Sequence, residues 1–161
     1  MGVTVVILVD GSSRGNPGPS AVGAALWFRG KGKSAGRPPD QVTAEKIGIA
    51  TGNQAEHTAI QFGLELAWQH SAEEVYLFSD SQLAVNHVNE IWAVNDLALQ
   101  ELVETTQKMM GQENWKVTVA WVPRELTGRA DKLADAALEE PASREGSLLE
   151  QCRTREVRTD G

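Results

Sequence analysis

Residues Val3–Val9 form an almost unbroken run of β-branched and aliphatic side chains, and the run stops at an acid, Asp10. A strand that is apolar on both sides must be covered on both faces. The thirteen residues after Asp10 hold four glycines, two prolines and a single basic side chain, Arg14. The strand is therefore expected to end at the carboxylate, with a rigid turn beside it. Pro17 and Gly18 suit the corners of a type II turn, where Pro fixes φ and Gly supplies a positive φ.

The rest of the chain supplies partners for this strand. Ala21–Phe28 and Val42–Ala50 read as second and third strands around a turn at Gly30–Pro39, together an antiparallel meander. From Asn53 the period changes. Ala55, Ala59, Phe62 and Leu66 recur at helical spacing, with Asn53 as the expected N-cap and Gln69 near the end. Val75–Phe78 is a short buried strand ending at Ser79 and Asp80, and the order strand, helix, strand implies a parallel crossover. Helices are expected over Ser81–Val88 and Asp96–Met110, a strand over Trp115–Val122 stopped by Pro123, and a last helix from Thr127 or Gly128 to Leu138. The fold class is α/β: a mixed five-stranded sheet, three antiparallel strands and then two more with parallel pairing to the first, and helices on both faces. One domain over residues 1–140 is expected, followed by a mobile or loosely docked tail, Pro141–Gly161.

Charge narrows the function. A net charge of −7 argues against a general nucleic-acid glue. Arg29, Lys31, Lys33, Arg37 and Lys46 form one basic group, and Lys116, Arg124, Arg129 and Lys132 another. Between Ile47 and Gln107 there is no Lys or Arg, yet nine acids. A polyanion must then be held by two local patches, or by metal ions that offset the acids. Gly30–Ser34 does not make a phosphate loop, because Trp27 stands where that motif needs Gly. No run approaches the ~20 apolar residues of a membrane span. Met1–Asp10 lacks the basic start of a signal peptide, and Cys152 is alone, so a cytoplasmic monomer is expected.

Asp10 and Asp80 close neighbouring parallel strands and share the carboxyl-end edge where open α/β sheets place their sites. Glu56, in the first turn of the crossover helix, and Asp131, in the first turns of the last helix, can reach the same edge. Four converging acids in a low-dielectric setting would not all stay ionised without cations. An oxygen-only set favours Mg²⁺ or Mn²⁺, and two such ions ~4 Å apart suit in-line displacement at phosphorus. Singly, each acid has an ordinary explanation. Asp10-Gly11 is a turn dipeptide, Glu56 and Asp131 complement a helix dipole, and Asp80 caps the helix after it.

DGSSRGNPGPSAVG, TGNQAEHTAI, VYLFSDSQLAVNHV and WVPRELTGRADKLADAAL, in this order, together resemble the ribonuclease H type 1 family. WVPRE is most like its compact archaeal and bacterial subgroup. The resemblance covers residues 3–138. It implies cleavage of the RNA strand of RNA–DNA hybrids with two divalent cations, Mg²⁺ or alternatively Mn²⁺. It implies that Asp10 bridges both ions, that Glu56 and Asp80 complete the site on the substrate side, and that Asp131 holds the ion activating water. Gly11, Ser12, Ser13 and Asn16 would approach the shallow minor groove, where RNA shows its 2′-hydroxyls. Asn53, Gln54, Ser81 and Arg124 complete the expected substrate contacts.

The chain departs from the family pattern in three places. Thr51-Gly52-Asn53 stands where many relatives carry Thr-Asn-Asn. NEIWAVNDLALQEL lacks a basic handle, and Val122–Ala130 lacks a His, leaving Arg124, Glu125 or Arg129 to act there. Weaker hybrid binding with a flatter salt dependence is expected. His57, His70 and His87 are expected on the surface, and Trp92 is the tryptophan expected to be exposed. Two alternatives stand beside the main reading. One is a binding module on the same fold, which the intact acid set argues against. The other is a nuclease acting mainly on double-stranded RNA or RNA–DNA junctions.

Overall fold

The computed structural model describes residues 2–30 and 38–127. The elements among them are β1 (Val3–Ser13), β2 (Gly18–Phe28), β3 (Gln41–Ala50), α1 (Gly52–Gln69), β4 (Ala72–Ser79), α2 (Gln82–Val88), α3 (Leu97–Met110), β5 (Lys116–Trp121) and α4 (Arg124–Thr127). The strands form one sheet in the order β3-β2-β1-β4-β5. β2 pairs antiparallel with β1 and β3, while β4 pairs parallel with β1 and β5. The expected meander and crossover are both present.

The apolar run of β1 explains its central place. Val5, Ile7 and Val9 join one buried cluster with Ala59, Ile60 and Leu64 of α1. Val6, Trp27 and Phe78 lie off that cluster and are equally buried. Gly63 lets α1 close on the sheet, since a Cβ there would stand 2.6 Å from Val9 Cγ1. α3 packs on α1, and Gln61 Nε2 donates to Leu102 O at 2.9 Å.

Several element ends differ from expectation. β1 does not stop at Asp10. It stays paired with β2 as far as Ser13 opposite Ser20, although its pairing with β4 ends at Leu8 opposite Phe78. Small residues on both sides carry the ladder on, so Asp10 sits at a step where β4 has fallen away. The bend after β1 is not the expected type II turn. The Asn16–Pro17 peptide is cis, and Gly15, not Gly18, has a positive φ (118°). Gly18 instead starts β2, where a Cβ would meet Arg14 O at 2.2 Å. Thr51 rather than Asn53 caps α1. Thr51 Oγ1 accepts the Gln54 N–H (3.1 Å) and Gln54 Oε1 accepts the Thr51 N–H (2.9 Å), so one pair of side chains satisfies two otherwise orphaned donors. The helix therefore begins at Gly52, and Glu56 falls in its second turn, not its first. Ser81, not Asp80, caps α2 by accepting the Ala84 N–H.

The histidines correct a further expectation. His57 and His87 are buried, stacked at 5.3 Å, with Nε2 and Nδ1 3.1 Å apart. His57 lies three residues before Ile60 on the inner face of α1, and the two imidazoles serve each other as polar partners. Burial, and then the neighbouring His87, pushes His57 down to about 4. His70 is half-buried, edge-on to Phe28 and hydrogen-bonded to Gln41. Trp68, not Trp92, is the exposed tryptophan. No described helix is long and apolar enough to cross a membrane. The expected helix beyond Thr127, with Asp131, the tail 141–161, and Lys31, Lys33 and Arg37 lie outside the described residues.

Candidate active site

Three elements converge at the step in the sheet. β1 supplies Asp10, the end of β4 supplies Asp80, and α1 supplies Glu56. One carboxylate oxygen from each lies within 4.8 Å of the others. Gly11 makes this approach feasible. A Cβ at this position would stand 2.2 Å from Ala55 O, so any larger residue would push the start of α1 away from β1. The same closeness lets Glu56 Oε1 accept the Gly11 N–H at 2.9 Å. On the other strand, Trp121 Nε1 donates to Asp80 O at 3.2 Å, and Ser79 Oγ accepts the Ser81 N–H at 3.1 Å. These bonds hold the backbone on either side of the Asp80 side chain.

The electrostatics are those of a crowded, half-dry site. The Asp80 side chain is 6% exposed, its Oδ2 lies 3.6 Å from Arg124, and its Oδ1 is buried with no hydrogen-bond partner among the described residues. Burial raises the Asp10 carboxyl above its ordinary value, and the Asp80 charge raises it further, against the pull of Arg124 and the Gly11 amide. Burial pushes Glu56 up to about 7. The Gly11 hydrogen bond opposes this, and Asp10 and Asp80 add to it. A buried carboxylate oxygen with no donor, beside two acids that ionise reluctantly, is the environment a cation relieves. The donors are all oxygen, which suits a hard divalent ion. The residues present therefore fit a divalent metal.

The expected substrate contacts divide into two groups. Ser12, Asn16, Asn53 and Arg124 are exposed, on the segments that carry or flank the acids. Asn16 Oδ1 also accepts the Gly52 N–H at 3.1 Å, tying the turn to the start of α1. The others are engaged with backbone. The Ser13 hydroxyl donates to carbonyls, Ala50 O among them at 2.8 Å, and Gln54 and Ser81 are capping residues. Gly11 acts through its missing side chain and its amide. Sequence reasoning missed Thr51 and Trp121. The Thr51-x-x-Gln54 spacing signalled the first. Nothing local signals the second, which reaches Asp80 only because β5 lies beside β4 with Trp121 opposite Ser79.

Comparison with known proteins adds three findings. A family model described as "Reverse transcriptase-like" matches residues 8–137. Ribonuclease HI of Halobacterium salinarum is 39% identical over 132 residues, which cover 81% of this chain and 62% of that protein. The chain thus spans less than two thirds of that relative, and 36% of a bifunctional protein of Mycobacterium tuberculosis that it also matches. Among solved structures, RNase H1 from Halobacterium salinarum superposes with a TM-score of 0.69 at 34% identity, covering 86% of this chain and 99% of that one. LC11-RNase H1, solved in complex with RNA/DNA hybrid, superposes with a TM-score of 0.66 at 25% identity, covering 84% and 96%.

Proposed function

The chain belongs to the ribonuclease H type 1 family, and on that premise we propose that it is a metal-dependent endonuclease hydrolysing the RNA strand of RNA–DNA hybrids. The observation that carries the reading is the meeting of Asp10, Glu56 and Asp80, with Asp80 Oδ1 buried and without a hydrogen-bond partner among the described residues. These three acids, with Asp131 as the expected fourth, would hold two divalent cations, Mg²⁺ or alternatively Mn²⁺. Bound there, the cations supply an activated water and neutralise charge at the phosphate during in-line displacement.

The chain's own groups do the remaining work. Glu56 gives up its proton as the metal site fills, because a ligand must be deprotonated. The Gly11 amide holds one Glu56 oxygen while the other stays available. Arg124 keeps a positive charge beside Asp80 at the open side of the site. Ser12, Asn16 and Asn53 present small polar groups to a shallow groove, where a 2′-hydroxyl separates RNA from DNA. The hybrid bound to LC11-RNase H1 supports a hybrid as the ligand.

The test incubates labelled hybrid, double-stranded RNA and double-stranded DNA with the full chain and Mg²⁺ or Mn²⁺, beside an Asp80→Asn control. Internal cuts in the RNA strand of the hybrid alone are expected, with a rate lower by on the order of a hundredfold or more in the control. Cleavage of none of the substrates, or equal rates in the control, overturns the proposal. Preference for double-stranded RNA transfers it to the alternative substrate.

A further inference from the structure

Trp68, near the C-terminal end of α1, and Trp115, just before β5, meet edge to face. Their ring centroids are 5.1 Å apart and their planes 78° apart. Trp68 is 55% exposed, whereas Trp115 is 8% exposed and anchors it. Two hollows of about 350 and 340 Å³ flank the pair and share both rings. Glu65 and Met109 line the first, and Glu73 and Glu113 line the second. Among the described residues, no Lys or Arg lines either hollow. Lys116 shares a third, neighbouring hollow with Glu73, so Glu65 and Glu113 are the carboxylates set apart from it.

The place is remote from the acids of the metal site. Trp68 follows Glu56 by twelve positions on one helix, or about 18 Å along its axis. Nothing in the proposed hydrolysis uses it. Indole faces attract cations through their quadrupole, and a carboxylate rim adds charge of the right sign. A guanidinium is planar, weakly hydrated for a cation, and stacks on aromatic rings.

We propose that the Trp68–Trp115 surface binds an arginine-bearing basic peptide segment of a protein partner, its guanidinium against the indole and its charge facing Glu65 and Glu113. The probe is acetylated, amidated tetra-arginine, titrated into the full chain by calorimetry, with tetra-glutamate as control. Saturable binding with a Kd below about 1 mM is expected for tetra-arginine alone. Trp68→Ala, which leaves the net charge untouched, is expected to weaken it about tenfold. The double variant Glu65→Gln/Glu113→Gln is expected to weaken it about threefold, and it leaves the ring packing in place. Hybrid cleavage by Trp68→Ala is expected to stay at the unsubstituted level, so the peptide result and the nuclease result are read separately. Absence of saturable binding, equal binding of tetra-glutamate, or unchanged affinity in both variants overturns the proposal.

Discussion

Glu56 answers two opposing demands. Its carboxyl is pushed from an ordinary 4.5 up to about 7, so between these values the folded protein keeps a proton that the unfolded chain has lost. The contribution of Glu56 to stability without metal is thus full below that window and falls as pH rises through it. His57 acts in the opposite sense. Held down to about 4, it stays neutral in the fold while the unfolded chain takes up a proton, so its contribution falls as pH drops below its ordinary 6.5. Comparing the chain with Glu56→Gln separates the two. In a chelator, the variant is expected to melt higher than the unsubstituted chain near about pH 7.5, with the gap closing near about pH 5. The gain in melting temperature from added Mg²⁺ is expected to grow as pH rises through about 7, and to be largely lost in Glu56→Gln. Scanning calorimetry checks both. A larger Mg²⁺ gain on the acid side would contradict the assignment.

At the scale of elements, the interiors of strands and helices were legible and their ends were not. The apolar runs of β1 and β4 and the helical spacing of Ala55, Ala59 and Leu66 span enough residues to declare their period. Ends depend instead on who supplies the next hydrogen bond. β2 carries β1 past Asp10, and Gln54 reaches back to Thr51. Asp10, Glu56 and Asp80 were legible because the strand, helix, strand order and the motifs around each acid send them to one edge. They meet there even though β1 runs on past Asp10 and Glu56 lies in the second turn of α1. The groups that hold them were hidden, since Gly11 meets Glu56 across 45 residues and Trp121 meets Asp80 across 41. Two substitutions test this level. Gly11→Ala forces a Cβ against the Ala55 backbone and is expected to cost about 2 kcal/mol or more, seen as a lower urea midpoint and weaker Mg²⁺ binding. Thr51→Ala removes the cap and is expected to cost about 1 kcal/mol in the same assay. A Gly11→Ala variant of unchanged stability would mean that α1 can approach β1 without the missing side chain.

Across the whole molecule, the charge of −7 sets the terms of binding. Arg14 and Arg124 are the described cations on segments next to the acids, so hybrid binding should lean less on phosphate neutralisation than in a heavily basic nuclease. The slope of log affinity against log salt is expected to be no steeper than about −4, equivalent to some four or five phosphates, by fluorescence anisotropy with Asp80→Asn. A slope near that of a strongly basic binder would contradict it. The sheet itself is lopsided, with β1, β2 and β3 of 11, 11 and 10 residues and β4 and β5 of 8 and 6. The acids stand where the long half meets the short half. The notch beside Asp10 is cut by the backbone itself, because β1 and β2 go on pairing to Ser13 and Ser20 after β1 has parted from β4 at Leu8. That outline is set by strand length, so no single side-chain replacement erases it.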